Sequence, residues 1–265
     1  MRVIAVANQK GGVGKTTTSV NLAASLSATK RRILLVDLDP QGNATMGSGL
    51  DKRDIELGTY DVLVENTPVA NAVVYAEDSG YFVLGSNSDL TAAEVHLLNM
   101  PDRDIRLKKA LAEVQSDFDF VLIDCPPSLN MLTLNALVAA NSIMIPMQCE
   151  YYALEGLSAL VETIEKVREV HNPELEIEGL LRTMYDPRNN LAMQVTEQLV
   201  KFFGDKVYRT IIPRNVRLAE APSHGMPVLN YDRASRGAQA YLALAGEILR
   251  REDSRIGARV AVAEN

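Results

Sequence analysis

Eight residues near the N-terminus have types and spacing suited to phosphate chemistry: Lys10-Gly11-Gly12-Val13-Gly14-Lys15-Thr16-Thr17. They follow the apolar run Val3-Ile4-Ala5-Val6-Ala7 and precede a segment of helical periodicity, so the local order is strand, glycine loop, helix. Such a loop holds nucleotide phosphates. Its glycines let backbone N–H groups turn inward, and the following helix aims its positive end at the same place. Lys15 is placed to reach the β- and γ-phosphates, and the Thr16 hydroxyl to take a position on Mg²⁺. The common form of this loop opens with a glycine separated by four residues from Gly-Lys-Thr; here Gln9 stands there, and a second lysine, Lys10, follows it.

Phosphate chemistry also needs carboxylates at the ends of neighbouring strands. Phe120-Val121-Leu122-Ile123-Asp124 is an apolar strand ending in an acid, the Walker B form, and its Asp124 would hold Mg²⁺ directly or through water. Leu34-Leu35-Val36-Asp37-Leu38-Asp39-Pro40 is a second such strand. Period-two alternation puts Asp37 and Asp39 on one side of it, where both can approach the metal and an attacking water. A lone strand-end Asp is usually a turn residue. Three of them behind a phosphate loop favour a functional reading.

The elements that must position these groups read as an alternating β/α series. Apolar, β-branched runs occur at Val3–Ala7, Ile33–Val36, Tyr81–Leu84, Phe120–Ile123, Ser142–Pro146 and Ile177–Met184. Helical patterns fall near Lys15–Ala28, Ala92–Leu98, Ile105–Val114, Met131–Ala140, Leu154–Val170 and Leu191–Phe203, with a last one through Ala238, Tyr241, Leu242, Ala245, Ile248 and Leu249. This order predicts an α/β fold: a mostly parallel, twisted β-sheet with helices on both faces. A single domain over residues 1–252 is expected, with the small, charged stretch 253–265 fraying as a tail.

With 265 residues, 47% of them hydrophobic, the chain is long enough for one full core. It has no run of about 18 apolar residues, so no membrane-spanning helix is expected. The first strand starts within two residues of the N-terminus, which is expected to leave no room for a leader. Cys125 and Cys149 lack metal-ligand spacing and are too few for a disulfide scaffold; packing and a cytoplasmic setting are the plain expectation. The net charge of −7 argues at first against nucleic acid, yet between Leu180 and Ala240 nine basic residues face five acidic ones. A basic face on an acidic protein is therefore allowed.

The chain resembles the deviant Walker A ATPases of the ParA/MinD group, most of all the ParA/Soj chromosome-partitioning branch. The matching pieces are Asn8–Thr17, Val36-Asp37-Leu38-Asp39-Pro40-Gln41-Gly42-Asn43, Ile123-Asp124-Cys125-Pro126-Pro127, Ile212–Leu218 with Glu220–Gly225, and Tyr231-Asp232-Arg233 with Ser235-Arg236-Gly237. They span the chain from Arg2 to about Arg250. The resemblance implies ATP and Mg²⁺ as cofactors, bound by Lys10, Gly11, Gly12, Val13, Gly14, Lys15, Thr16 and Thr17, with the metal supported by Thr16, Asp37 and Asp124. It implies that Lys10 reaches across a homodimer to the partner's ATP, that Lys15 is catalytic, that Asp39 orients the attacking water, and that Pro213 and Asn215 contact adenine. It further implies non-specific double-stranded DNA binding through Arg188 and Arg217, more weakly Arg233, Arg236 and Lys201. A ParB-type partner would stimulate hydrolysis, and the protein would reside on the nucleoid.

Two other classes share the loop. A MinD-like regulator of membrane surfaces would end in an amphipathic helix with bulky apolar and basic residues. The last helical pattern here is alanine-rich and lacks Phe and Trp, so packing on the sheet and no membrane contact are expected. A nitrogenase-type iron protein would need cluster-bridging cysteines, and Cys125 directly follows Asp124 rather than lying farther downstream.

Overall fold

The computed structural model describes residues 1–263, with side chains from 1 to 255. Strands β1 (Arg2–Val6), β2 (Ile33–Asp37), β3 (Val73–Ala76), β4 (Tyr81–Leu84), β5 (Phe120–Asp124), β6 (Ser142–Met147) and β7 (Glu176–Arg182) form one sheet in the order β3-β4-β2-β5-β1-β6-β7. All neighbours run parallel except β3, which pairs antiparallel with β4 at the edge. The helices, in chain order, are α1 (Lys15–Ser27), α2 (Asn43–Gly47), α3 (Thr59–Leu63), α4 (Val69–Ala72), α5 (Leu90–Leu98), α6 (Arg106–Ala112), α7 (Met131–Ala139), α8 (Ala153–Val170), α9 (Asn190–Phe203), α10 (Val216–Glu220), α11 (Val228–Tyr231) and α12 (Arg236–Ala263).

The central strands are apolar at nearly every position because both of their faces are covered. Val3, Ala5, Leu34, Val36, Val121 and Ile123 point into a core shared with α3 to α9. Their neighbours Ile4, Val6, Ile33, Leu35, Phe120 and Leu122 point into a second core with α1, α2 and α10 to α12. The register sets Val6 beside Asp124 and Asp37 beside Asp124, so the ends of β1, β2 and β5 are level. That alignment gathers the phosphate loop and the strand-end acids at one edge of the sheet.

The six apolar runs are all strands, within one or two residues. Strand β3 is an addition: Val74 and Tyr75 are exposed, so this hairpin edge lacks the buried apolar run that marks the others. Strand β7 stops at Arg182 rather than Met184, because Met184 takes a left-handed φ of 48°. Helix α12 also departs from expectation, continuing through Ala263 where a fraying tail was anticipated. Its extension is tied to the sheet by Arg251, which donates to the Glu178 carbonyl at 3.2 Å, and by Arg255, which pairs with the buried Glu178 carboxylate at 3.0 Å.

Helix α12 packs along α1 through Tyr241, Leu244, Ala245 and Ile248, all buried. Within this contact the Tyr241 and Thr18 hydroxyls hydrogen-bond at 3.1 Å, both out of reach of solvent. Tyr241→Phe should therefore cost about 1–2 kcal/mol, since it strands a buried Thr18 hydroxyl. Urea unfolding should show the midpoint falling at constant slope.

Candidate nucleotide-binding site

The phosphate loop joins β1 to α1, and side chains from two places hold its shape. Asn8 accepts the Lys10 N–H at 3.0 Å while its amide donates to the Pro146 carbonyl in β6, the neighbour of β1, at 2.8 Å. Thr183, just past β7, donates its hydroxyl to the Val13 carbonyl at 2.8 Å. Gly12 and Gly14 take φ of 72° and 86°, a left-handed conformation that turns the N–H groups to one side and that a Cβ would strain. A Cβ on Gly11 or Gly12 would touch nothing within 4 Å, so the concave side of the loop is open to a ligand.

Lys15 starts α1 from a buried position and makes one long hydrogen bond, 3.3 Å to the Lys10 carbonyl. Burial pulls its pKa down, opposed by the charges of Asp124, Cys125 and Asp39. An ammonium with one weak acceptor and nearby anions suits a polyphosphate. Lys10 behaves differently. Its ammonium lies on the rim, half-exposed, and donates to Glu150 at 2.6 Å.

The three acids have distinct surroundings. Asp124 is fully buried; Thr16 and Ser19 donate to its two oxygens at 2.8 Å each. Asp37, equally buried, accepts the Thr45 N–H and hydroxyl at 2.8 Å and the Asp39 N–H at 3.1 Å. Desolvation drives both carboxyls well above their ordinary range, and each also feels its neighbours' charge, Asp124 from Asp37 and Asp39 and Asp37 from Asp39. Asp39 sits past the strand end, partly exposed, accepting only the Gln41 N–H at 2.9 Å. Two buried acids side by side call for a hard cation, and Thr16 with Asp124 offers oxygen ligands for Mg²⁺. No group of three or more His, Cys, Asp or Glu is poised for a metal among the described residues, so an ion here needs phosphate oxygens to complete its shell.

On the far side of the loop, Tyr185 donates its N–H to the Ile212 carbonyl at 3.0 Å, and Arg214 donates back to Tyr185 at 3.3 Å. These bonds set Pro213 beside Tyr185, two residues past the Thr183 that ties to the loop. Asn215 also caps α10, accepting the Leu218 N–H at 3.3 Å through its side-chain oxygen, which leaves its amide NH₂ for another partner.

The comparisons with known proteins agree with this layout. A family model described as an AAA domain matches residues 1–177. The sporulation initiation inhibitor protein Soj of Bacillus subtilis is 53% identical, over 93% of this chain and 98% of its own length. The chromosome partitioning protein ParA of Caulobacter vibrioides is 50% identical, over 96% of both chains. The chain belongs to the ParA/Soj family. Among solved structures, a Mycobacterium smegmatis protein titled cobyrinic acid a,c-diamide synthase, with bound ADP and magnesium, is 40% identical at a TM-score of 0.84, covering 96% of each chain. The cell division ATPase MinD of Pyrococcus furiosus superposes at a TM-score of 0.76 with 26% identity.

Of the cations that the ParA/Soj resemblance singled out, two are engaged within the chain. Arg188 forks onto Asp186 at 2.9 and 2.7 Å, and Arg217 pairs with Glu220 at 2.8 Å and Asp232 at 3.2 Å. Arg233 and Arg236 are exposed close to Arg217, because α10, α11 and α12 pack together. Arg214, unremarked in the sequence, lies near enough to Asp186 to bridge the two groups. Lys201 stands apart on α9. Both cysteines are buried in the apolar core.

Spacing left several partners unnoticed. Ser19 lies one helical turn beyond Thr16, a signal present in the sequence. Thr45, Thr183 and Glu150 meet the site only through tertiary contacts.

The raised acids have a measurable consequence. The folded chain keeps their protons at pH values where the unfolded chain has lost them. Stability from this source is full below the ordinary carboxylate range and is lost as pH rises through the folded values. Without ligand, the thermal midpoint should fall as pH climbs from about 4 towards neutrality. Asp124→Asn, which the Thr16 and Ser19 hydroxyls can accept by rotating, should flatten that slope. An unchanged slope would count against the buried-acid account.

Proposed function

We propose that this chain is an ATP-driven DNA-partitioning ATPase. Its ATP-bound form closes face to face with a second copy, holds DNA without sequence choice, and lets go on hydrolysis stimulated by a ParB-type partner. The observation that carries this reading is the contrast between the two lysines: Lys15 turns into its own loop, whereas Lys10 turns outward to Glu150 on the rim. A cation displayed there is placed for a nucleotide held by another copy. The Caulobacter vibrioides relative named for chromosome partitioning is 50% identical, closer than the 40% of the protein named as a synthase.

In the reaction, water attacks the γ-phosphorus, the bond to the bridging oxygen breaks, and ADP and phosphate leave. Lys15 and the loop N–H groups hold the β- and γ-phosphates. Asp39, the most exposed of the three acids, orients the water. Thr16, Asp37 and Asp124 support Mg²⁺, which spreads the charge of the phosphates. Lys10, supplied by the second copy, stabilises charge developing on the transferred group. Cations given in trans in this way are worth about 10³–10⁵ in rate, so turnover without dimer and partner should stay slow, on the order of 10⁻⁴ to 10⁻² per second.

For DNA, Arg188, Arg214, Arg217, Arg233 and Arg236 supply cations along neighbouring segments, with Lys201 a more remote contributor. Exposed ion pairs are worth only about 0–1 kcal/mol, so phosphates can displace Asp186, Glu220 and Asp232 from their arginines. The described part of α12 buries its apolar face chiefly against α1, and among the described residues no helix is long and apolar enough to cross a membrane.

The deciding measurement is binding to random-sequence DNA with ATP, ADP or no nucleotide. Binding should require ATP, persist in Asp39→Ala, and vanish in Lys15→Ala and Arg217→Glu. Absence of DNA binding in every state, with ATPase activity intact, would reject the proposal and direct attention to lipid vesicles. A dimer making about four to six phosphate contacts should show a log–log salt slope near −4 to −5. Glu150→Gln should release Lys10 and favour the ATP dimer by up to about fivefold per subunit, read by sedimentation with ATP.

A further inference from the structure

Residues 207–214 run beside β7 like an eighth strand, but the ladder between them is irregular. Tyr208 donates to the Leu180 carbonyl at 3.1 Å. In a regular parallel ladder the next donor to β7 would be Thr210, bonding to Arg182. Instead, Ile212 donates to the Arg182 carbonyl at 2.9 Å, so the segment carries two residues more than the pairing needs.

The bulge frees the N–H groups of Arg209 and Thr210, and both go to one side chain of α12. Glu247 accepts the Arg209 N–H at 2.9 Å on one oxygen, and the Thr210 N–H at 2.9 Å and hydroxyl at 2.7 Å on the other. The carbonyl side is held by the opposite charge: the Arg182 guanidinium donates to the Tyr208 carbonyl at 2.7 Å and to Arg209 at 3.4 Å. Glu247 is nearly buried, and Arg251 secures it at 2.9 Å. An anion on the N–H side and a cation on the C=O side thus clamp an irregular stretch of backbone.

The clamp helps to hold register. A slip of two residues, into the regular ladder, would keep every side chain on its present face, since strand side chains alternate with period two. Tyr208 would keep its place, while Thr210 would replace Ile212 in its buried position. The slip would carry Pro213 and Asn215 about 6–7 Å along β7 at about 3.3 Å per residue. Face parity does not tell the two registers apart; the buried Ile212, the Tyr185–Ile212 and Arg214–Tyr185 bonds and the Glu247 carboxylate together hold the observed one.

We propose that Glu247 is a positioning residue for the nucleotide base: by capping the Arg209–Thr210 bulge from α12, it sets the register that presents Pro213 and Asn215 beside the phosphate loop. This rests on the reading that Pro213 and Asn215 face the base. Glu247 does not touch the phosphates, so its loss acts on recognition of the base and not on the chemical step.

The test compares affinity for Mg·ATP with affinity for Mg·tripolyphosphate, which lacks base and ribose. Glu247→Gln puts an amide NH₂ against backbone donors. It should weaken ATP by about tenfold or more, the scale of a lost charged hydrogen bond, and leave tripolyphosphate within about twofold. KM for ATP should rise while turnover at saturation holds. Thr210→Val, a milder change that removes only the hydroxyl bond, should shift the same ratio in the same direction by less. Equal losses for both ligands, or no change in either, would overturn the proposal. Asn215→Ala separates the two claims. If it leaves the ratio unchanged while Glu247→Gln lowers it, the base does not lie at Asn215 and the clamp stands. If it lowers the ratio and Glu247→Gln does not, the clamp is wrong.

Discussion

Two carboxylates side by side and away from water dominate the architecture of this molecule. Asp37 and Asp124 end adjacent strands in register, so the pairing that builds the sheet also forces their charges together. Desolvation makes that arrangement unfavourable when both are ionised, and the surroundings offset it by directed hydrogen bonds from Thr16, Ser19 and Thr45. The glycine loop, the inward Lys15 and the level strand ends all converge on this pair. The Mg²⁺ of a bound nucleotide would supply positive charge beside the two carboxylates. Ligand binding and relief of electrostatic strain are thus the same event.

The same charges connect the site to segments that could respond to it. Thr45 belongs to α2, which packs on α1; Asp39 sits at the start of the turn into α2. Thr183 ties the loop to the end of β7, and the left-handed Met184 lets the chain turn there towards residues 212–214. A non-glycine residue in that conformation costs stability and persists where surrounding contacts over-determine it. From the phosphates to Asn215 the connection is therefore made of short, directional bonds, and Asn215 caps the helix that bears Arg217. The residues proposed for the base and the outward-facing cations share one stretch of backbone.

Much of this was legible in the order of residues. The loop, Asp37, Asp39 and Asp124 stand out because their chemistry depends on local spacing at strand ends. The six buried strands stand out because two covered faces demand unbroken apolar runs. The edge strand β3 was hidden by its exposure, and α10 and α11 by their brevity, since one turn of helix is stabilised by packing and caps more than by its own sequence. Glu150 looked like an ordinary loop acid and Glu247 like an ordinary surface acid on a helix. Their partners lie 140 residues and 37–38 residues away, and no periodicity reports such pairings. Arg188 and Arg217 were visible as cations, but the acids that neutralise them at rest emerge only from the folded geometry.

The Arg209–Thr210 bulge also bears on how the chain is made. Domains synthesised from the N-terminus begin to collapse before their last residues appear. The phosphate loop, all seven strands and the segment 207–214 leave the ribosome ahead of Glu247. Until α12 docks, the Arg209 and Thr210 N–H groups lack the Glu247 carboxylate that accepts them in the folded chain. If Glu247 sets the register as proposed, docking of α12 completes the bulge after the rest of the sheet is in place. Lys15, Asp37 and Asp39 are made roughly two hundred residues ahead of Glu247, so the loop that grips phosphates can form before the segment proposed to read the base receives its carboxylate.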